Sequence, residues 1–189
     1  DDYVASIATL GELGIGYFDL EILQAQHVPI YQIEENVRRL RDALTEHNVR
    51  VAGFTAWACL GDVHSADSNR HKRGYELFDE IAQIASGLGA EYIHLGSDMI
   101  QDYIVERHDV YETAPALTVA IPPDICFQKI LDDYSGRLSR LAQIAADRGL
   151  KFALEPRANS MVCSADGFND VHRRAGHDNL YCCLDVVHA

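Results

Sequence analysis

Five short apolar segments alternate with longer amphipathic segments, and this alternation constrains the fold more than any other feature of the sequence. The apolar segments are residues 15–22, 51–56, 91–95, 150–155 and 180–185. Each has the length of a strand and lacks the regular alternation of polar and apolar residues that is typical of a strand with one solvent-exposed face. Strands that alternate with helices form parallel sheets with right-handed crossovers. The sequence therefore predicts an α/β fold whose parallel sheet is buried on both faces.

Apolar residues recur at helical spacing between these strands. The predicted helices cover residues 3–13, 31–47, 70–88, 124–148 and 165–175. Glycines that follow them, such as Gly89 and Gly149, are typical of helix ends. Two connections have no clear period. We interpret residues 57–69 as a surface loop that exposes His64, and residues 97–123 as a lid or binding loop because of their length.

Parallel βα repeats build either a doubly wound sheet or a (β/α)8 barrel. No Gly-x-Gly-x-x-Gly follows a predicted strand, so the dinucleotide-binding fingerprint is absent. Polar or aromatic residues instead stand at the C-terminal ends of strands, namely Glu21, Trp57, His94, Glu155 and Asp185. This distribution favours a TIM barrel, which when complete takes about 250 residues. For a chain of 189 residues we expect one domain, a partial (β/α)8 TIM barrel of about strands 2 to 6, truncated at both ends.

The composition narrows the choice of partners and compartment. The net charge of −13 disfavours nucleic acid, and the only dense basic run is residues 70–73. The five cysteines are odd in number and lack Cys-x-x-Cys spacing, which is typical of reduced cysteines in a cytoplasmic protein. No apolar run approaches the roughly 20 residues of a membrane span. We expect a cytoplasmic protein without a membrane partner, and a homo-oligomer is left open.

The last third of the chain carries the candidate chemistry. Glu155 ends one predicted strand, Asp185 ends the next, and His188 follows three positions later. Neighbouring parallel strands deliver the residues at their C-terminal ends to the same edge of the sheet. Two adjacent carboxylates at that edge predict a divalent metal site. The alternative is a pair of strand-end carboxylates that cap helices or form salt bridges on the barrel rim.

The segments around these residues resemble the xylose isomerase-like TIM barrels. That superfamily includes sugar-phosphate isomerases and epimerases, ketose 3-epimerases, inosose-processing enzymes and endonuclease IV. The matching segments are residues 14–22 (GIGYFDLEI), 154–156 (LEP) and 184–188 (LDVVH), which resemble strands 2, 5 and 6 of the family. They occur in the family's order, and the resemblance covers essentially the whole chain.

The resemblance implies a metal-dependent reaction on a small-molecule sugar or sugar phosphate. In the epimerase branch, Glu155 and Asp185 would be metal ligands, Glu155 would also be the catalytic acid/base group, and His188 would contact substrate. Two further ligands would come from strands beyond residue 189. The ion would be Mn²⁺, Mg²⁺ or Co²⁺, with Zn²⁺ possible. It would stabilise the enediolate of an α-hydroxyketone, which places the protein in carbohydrate metabolism.

Four other residues have two interpretations each. Arg157 either contacts substrate and supports Glu155 from behind, or is solvated or paired with a nearby aspartate. His94 either contacts substrate or is a hydrogen-bonded core histidine. Trp57 either forms a wall for a sugar ring or packs under its loop, and Glu21 either lines the site or braces the barrel.

We expect the 189-residue segment of the isomerase/epimerase to be inactive by itself. Two other functions are alternatives to the isomerase/epimerase. One is a zinc-dependent DNA repair nuclease of the endonuclease IV type, and the other is a catalytically inactive barrel homologue. The nuclease branch has a histidine ligand where this chain has Trp57, and Asn-Thr where Glu155 is followed by Pro156-Arg157. The sequence therefore favours the isomerase/epimerase.

Overall fold

A computed structural model of the protein describes residues 3–108 and 116–186. The strands of this part are β1 (Tyr17–Glu21), β2 (Arg50–Thr55), β3 (Tyr92–Gly96), β4 (Ile104–His108), β5 (Ala116–Val119), β6 (Lys151–Glu155) and β7 (Leu180–Cys182). The helices are α1 (Tyr3–Glu12), α2 (Glu34–Glu46), α3 (Leu60–Val63), α4 (Ser68–Gly87), α5 (Phe127–Asp147) and α6 (Ala165–Ala175). Short 3-10 helices cover Ala25–Gln32, Trp57–Cys59 and Gln101–Tyr103. None of the helices in the described ranges combines the length and apolar character needed to cross a membrane.

The main sheet has five parallel strands in the order β1-β2-β3-β6-β7. Each strand pairs with the main-sheet strand that precedes it in the chain, and the order never reverses. A doubly wound sheet reverses its order at a switch point, whereas a barrel adds its strands one after another. The predicted α/β fold, a partial TIM barrel, is therefore confirmed.

The hydrophobic core lies between the main sheet and its helices. Phe54, Ile93 and Phe152 point from three adjacent strands toward the helices and are fully buried. Phe152 meets Phe78 of α4 edge-on, with ring centroids 5.6 Å apart. Leu138 of α5 is also fully buried. Burial of each such side chain stabilises the fold by about 1.5–3 kcal/mol, so this layer fixes the arrangement of strands that the site depends on.

The opposite, concave face of the sheet is polar. Asp19, Gly53 and Tyr92 are in register on neighbouring strands, so their side-chain positions share one face. The Tyr92 hydroxyl donates to Asp19 Oδ1 at 2.7 Å. Its ring crosses directly over Gly53, where an added Cβ would lie 2.2 Å from Tyr92 Cε2. Glycine at this position is what allows a β3 tyrosine to reach a β1 aspartate.

The helix boundaries follow local capping signals. α6 begins after Ser164, whose hydroxyl accepts from the Gly167 amide at 3.1 Å, and ends before Gly176 in the left-handed conformation at φ 60°. Its bounds are those predicted. α4 begins two residues earlier than predicted because the Asp67 carboxylate caps it, accepting from the Asn69 amide at 2.7 Å.

Three predicted segments differ from the structure. Residues 57–69 contain a 3-10 turn and α3 instead of a plain loop. Residues 97–123 contain a 3-10 helix and the antiparallel pair β4–β5, and the connection at residues 109–115 lies outside the described residues. The last strand ends at Cys182, so Asp185 lies three residues beyond the strand and not at its end.

Candidate functional site

Glu155 is the last residue of β6, at the C-terminal end of the sheet. It is in register with Gly96, which shares the concave face with Tyr92 and His94 by strand alternation. The Glu155 side chain therefore belongs to the concave face. It is only 6% exposed, and its backbone carbonyl accepts from the Ser97 amide at 2.8 Å. A carboxylate is rarely buried to this degree without a partner or a function.

Asp185 lies near Glu155 on the adjacent segment of chain. The Cys183 amide donates to the Leu154 carbonyl at 2.9 Å, so the chain stays beside β6 after β7 has ended. Burial, followed by the negative charges of Glu155, Asp19 and Asp185, raises the pKa of Cys183 to about 11. The negative charges of three carboxylates therefore contribute to the raised pKa of the Cys183 thiol. Glu155, Asp19 and Asp185 therefore all lie within electrostatic range of Cys183, and Asp19 lies on the same concave face as Glu155.

The donor chemistry of this pair fits a hard divalent cation, since carboxylate oxygens are the preferred ligands of Mg²⁺ and Mn²⁺. Within residues 3–108 and 116–186, no group of three or more histidine, cysteine, aspartate or glutamate side chains is arranged to hold a metal ion. Metal binding by Glu155 and Asp185 stays a prediction. His188, the predicted substrate contact, lies outside the described residues.

His94 is buried on the concave face and is 9% exposed. Its Nε2 atom shares a hydrogen bond of 2.5 Å with the Thr55 hydroxyl and lies 4.0 Å from Asp19 Oδ2. Burial lowers the pKa of His94, against the opposing charges of Asp19 and Glu21. Nδ1 is buried and has no hydrogen-bond partner among the described residues. His94 is therefore a buried, hydrogen-bonded histidine on the face that carries Glu155, with one ring nitrogen unpaired among the described residues.

Arg157 and Trp57 form a stacked pair. The guanidinium carbon of Arg157 lies 4.9 Å from the centroid of the Trp57 ring. Gly96 makes room for the pair, because a Cβ there would lie 2.8 Å from Trp57 Cζ3 and 2.9 Å from Arg157 Cδ. The nearby Asp170 pairs with Arg174 at 3.0 Å. The predicted support of Glu155 by Arg157 stays a prediction.

A buried series of hydrogen bonds, from His64 through Tyr134 to Ser97, lies behind the site and was not predicted from the sequence. His64 is fully buried, its Nδ1 lies 2.8 Å from the Leu60 carbonyl, and its Nε2 lies 3.3 Å from the Tyr134 hydroxyl. The predicted surface position of His64 is therefore wrong. An imidazole can be buried when both nitrogens have partners, and α3 and α5 provide them here. Burial lowers the pKa of His64 to about 4, so the ring is neutral at pH 7.

The same series of hydrogen bonds continues to the strand that carries Glu155. The Tyr134 hydroxyl lies 3.0 Å from Ser97 Oγ, which accepts from the Val162 amide at 3.0 Å. Ser97 also donates its own amide to the Glu155 carbonyl. Ser97 thus joins the end of β3, helix α5 and the loop after β6. The one signal in the sequence was a small polar residue directly after an apolar strand.

Glu21 occupies a less central place. It ends β1, is exposed and is in register with Thr55. Its charge acts on His94, which puts it within electrostatic range of the concave face. Both interpretations of Glu21, as a lining residue and as a brace, stay open.

Comparison with known proteins gives a family. A profile described as xylose isomerase-like TIM barrel matches residues 7–189. Comparison with curated proteins gives no match. Among solved structures, a D-psicose 3-epimerase from Clostridium cellulolyticum H10 with D-tagatose is 17% identical with a TM-score of 0.71, over 100% of this chain and 59% of that chain. A 3-keto-D-glucoside 4-epimerase from E. coli is 14% identical with a TM-score of 0.72, over 100% and 65% respectively.

A third solved structure is a xylose isomerase-like TIM barrel protein from Mycobacterium smegmatis in complex with magnesium. It is 14% identical with a TM-score of 0.67, over 95% of this chain and 55% of that chain. The chain thus spans between 55% and 65% of the length of these three structures. At such identities the likeness shows the fold. Because the family profile matches residues 7–189 and the strand order is that of a barrel, the chain belongs to the xylose isomerase-like TIM barrel family.

Proposed function

We propose that this chain is part of a divalent-metal-dependent sugar or sugar-phosphate isomerase or epimerase. Its substrate is an α-hydroxyketone, and the reaction passes through an enediolate. The observation that carries the proposal is the burial of Glu155 at the C-terminal end of a parallel barrel sheet, and the charges of Glu155 and Asp185 both act on the nearby Cys183. Family membership and the epimerases among the structural neighbours support it.

Glu155 and Asp185 would hold the ion by their carboxylate oxygens, together with ligands from outside the described residues. When bound, a divalent cation acts as a Lewis acid toward the substrate oxygens. Glu155 takes the proton from the carbon next to the carbonyl, and the C–H bonding electrons move into the carbonyl to give the enediolate. Return of a proton to the opposite face of the same carbon, from a second acid, gives an epimer, and return to the former carbonyl carbon gives an isomer.

Other residues of the concave face would position the substrate. His94 is proposed to contact substrate, and its ring is held in place by the hydrogen bond between Nε2 and Thr55. His188 is proposed to contact substrate on the strength of the family resemblance. The Ser97 amide fixes the Glu155 backbone, which limits the movement of the carboxylate during proton transfer.

Glu155→Gln tests the assignment in the full-length protein. Removal of a general acid/base group lowers the rate by about 10²- to 10⁴-fold, and the amide is also a poorer metal ligand. The assay is exchange of the substrate α-proton with deuterated water, followed by NMR across ketoses and ketose phosphates with Mn²⁺ added. Glu91→Gln is the matched control, because Glu91 is exposed just before β3 at the opposite end of the sheet. Wild-type exchange by Glu155→Gln would remove Glu155 from the mechanism.

The nuclease alternative has less support. Trp57, at the position where that branch has a histidine ligand, is stacked on Arg157 and offers no metal donor. The net charge of −13 opposes binding to a phosphate backbone. A cytoplasmic location and a small-molecule partner are part of the proposal, and the location is supported by the five cysteines being free thiols.

A further inference from the structure

The Arg157 side chain has no ion pair or hydrogen bond among the described residues, although the net charge of the chain is −13. The other arginines that are substantially covered have polar partners: Arg70 bonds Asp62, Arg137 bonds the Val63 and Ser65 carbonyls, Arg148 bonds Asp79, and Arg174 bonds Asp132 and Asp170. Among the described residues, the Arg157 guanidinium has neither an ion pair nor a hydrogen bond, and its Nε is buried. An arginine left in this state is a candidate for binding an anion that is not part of the described chain.

The position of Arg157 places that anion in the proposed active site. Gly96 and Glu155 are in register on the concave face. A Cβ at Gly96 would touch both Trp57 and Arg157, so the stacked pair lies over the end of β3 on the face that carries Glu155. A molecule that reaches Glu155 from the C-terminal end of the sheet therefore passes the guanidinium.

The loop that carries Arg157 is held in one conformation. The Arg157 amide donates to the Val162 carbonyl at 3.0 Å, and the Ser160 hydroxyl donates to the Arg157 carbonyl at 2.7 Å. The Val162 amide is tied to Ser97 Oγ. Asp98, whose backbone carbonyl accepts from the Met161 amide of this loop, has its carboxylate engaged elsewhere, since it accepts from the Met99 amide and from the Gln101 side chain. The guanidinium is therefore presented on a fixed loop.

The contact with Trp57 also restricts the guanidinium, whose carbon lies 4.9 Å from the centroid of the indole ring. The guanidinium is planar and carries its N–H donors in that plane. Two parallel N–H groups in a plane match the two oxygens of a carboxylate or a phosphate. Lysine would offer a point charge without this geometry.

We infer that Arg157, oriented by Trp57, binds an oxyanion of the substrate, either a phosphate or a carboxylate. This inference rests on the proposed function and narrows its substrate class to acidic α-hydroxyketones. The oxyanion pairs with Arg157 while the carbonyl end lies at Glu155. Neutral ketoses lack the group that Arg157 recognises and are the poorer substrates.

The test compares Arg157→Met, Arg157→Lys and the wild type in the full-length protein. Methionine keeps much of the length and apolar contact of the side chain while it removes the charge. We expect KM for a ketose phosphate or a keto-acid substrate to rise about 10- to 100-fold in Arg157→Met, with a smaller rise in Arg157→Lys. KM for the corresponding neutral ketose should change little. Arg173→Met is the matched control, because the Arg173 side chain is 75% exposed on α6.

A binding measurement without turnover separates the two proposals. Inorganic phosphate and acetate are titrated calorimetrically into wild type and Arg157→Met, and circular dichroism confirms that both are folded. Binding of either anion to wild type alone supports the oxyanion site even if no ketose is turned over, and the preferred anion identifies the substrate group. Equal binding to both proteins, or equal loss of activity on neutral and acidic substrates, would overturn it. Turnover of acidic ketoses with unchanged kinetics in Arg157→Met would leave the isomerase standing and remove the oxyanion site.

Discussion

His64 gives the fold a pH-dependent stability that one substitution can isolate. Burial lowers the pKa of this imidazole to about 4, and in the unfolded chain it titrates near its usual value of about 6.5. Between these values the unfolded chain binds one proton more than the folded chain, so the free energy of unfolding falls as the pH falls. The stability is fully present above about pH 6.5. The loss is about 2 kcal/mol between pH 7 and pH 5, and approaches about 3 kcal/mol below pH 4.

His64→Gln removes this titration. The variant also loses bonds to Leu60 and Tyr134, but that loss is the same at both pH values and cancels in the comparison. Urea unfolding followed by circular dichroism, at pH 7 and pH 5, should show that wild type loses about 2 kcal/mol more than the variant. His108→Gln, which removes an imidazole whose side chain is 69% exposed, is the control and should follow wild type. Equal losses in wild type and His64→Gln would refute a neutral, buried ring.

Two further substitutions, Gly96→Ala and Tyr134→Phe, test the packing around the site, and each has a control. Gly96→Ala places a Cβ against the stacked pair at less than 3 Å, so it should destabilise by about 1–3 kcal/mol. Gly136→Ala inside α5, with no atom within 4 Å, should stabilise by about 0.4–1 kcal/mol, and urea unfolding that gives both variants the same sign would contradict this. Tyr134→Phe leaves His64 without its hydroxyl partner and should cost about 1–3 kcal/mol. The exposed Tyr17→Phe should be near neutral in the same assay, and a similar cost for both would argue against the buried series of hydrogen bonds.

The strands and most helices could be predicted from the sequence because their burial is periodic. Strands covered on both faces are continuous apolar runs, and helices carry one apolar stripe. α5 shows this well, since Leu131, Leu138 and Leu141 recur at helical spacing and are all buried. The order of the strands then followed from the rule that consecutive parallel strands lie side by side.

The position of His64 could not be predicted because tertiary partners decide it. Its surroundings come from the adjacent α3 and from α5 and the loop after β3, and the last two are distant in sequence. A weaker local signal was present, since Trp57, Leu60 and Val63 are spaced three residues apart and fit a short helix. The mostly polar residues that follow them, 64–69, favoured the interpretation as a loop. The periodicity was the better guide there.

Asp185 shows why strand ends are hard to predict. The apolar run continues through Leu184, yet β7 ends at Cys182 because its partner has ended. β6 stops at Glu155, and Pro156 has no amide to continue the ladder. A strand lasts only as long as its neighbour, so its end depends on a residue about thirty positions away in the chain. The sequence prediction therefore placed Asp185 at a strand end, whereas it lies three residues beyond the strand.

The candidate site divides into groups that face the substrate and groups that hold them. Glu155 and Asp185 were predictable, because carboxylates after buried strands are uncommon and match a family pattern. Ser97 was not, since a serine carries no such signal, yet its amide holds the Glu155 carbonyl and its hydroxyl receives the Val162 amide. The loop that presents Arg157 therefore depends on the residue that fixes Glu155. If the oxyanion inference is correct, the acid/base group and the anion-binding group are positioned by one shared support, and a change at Ser97 should disturb both together.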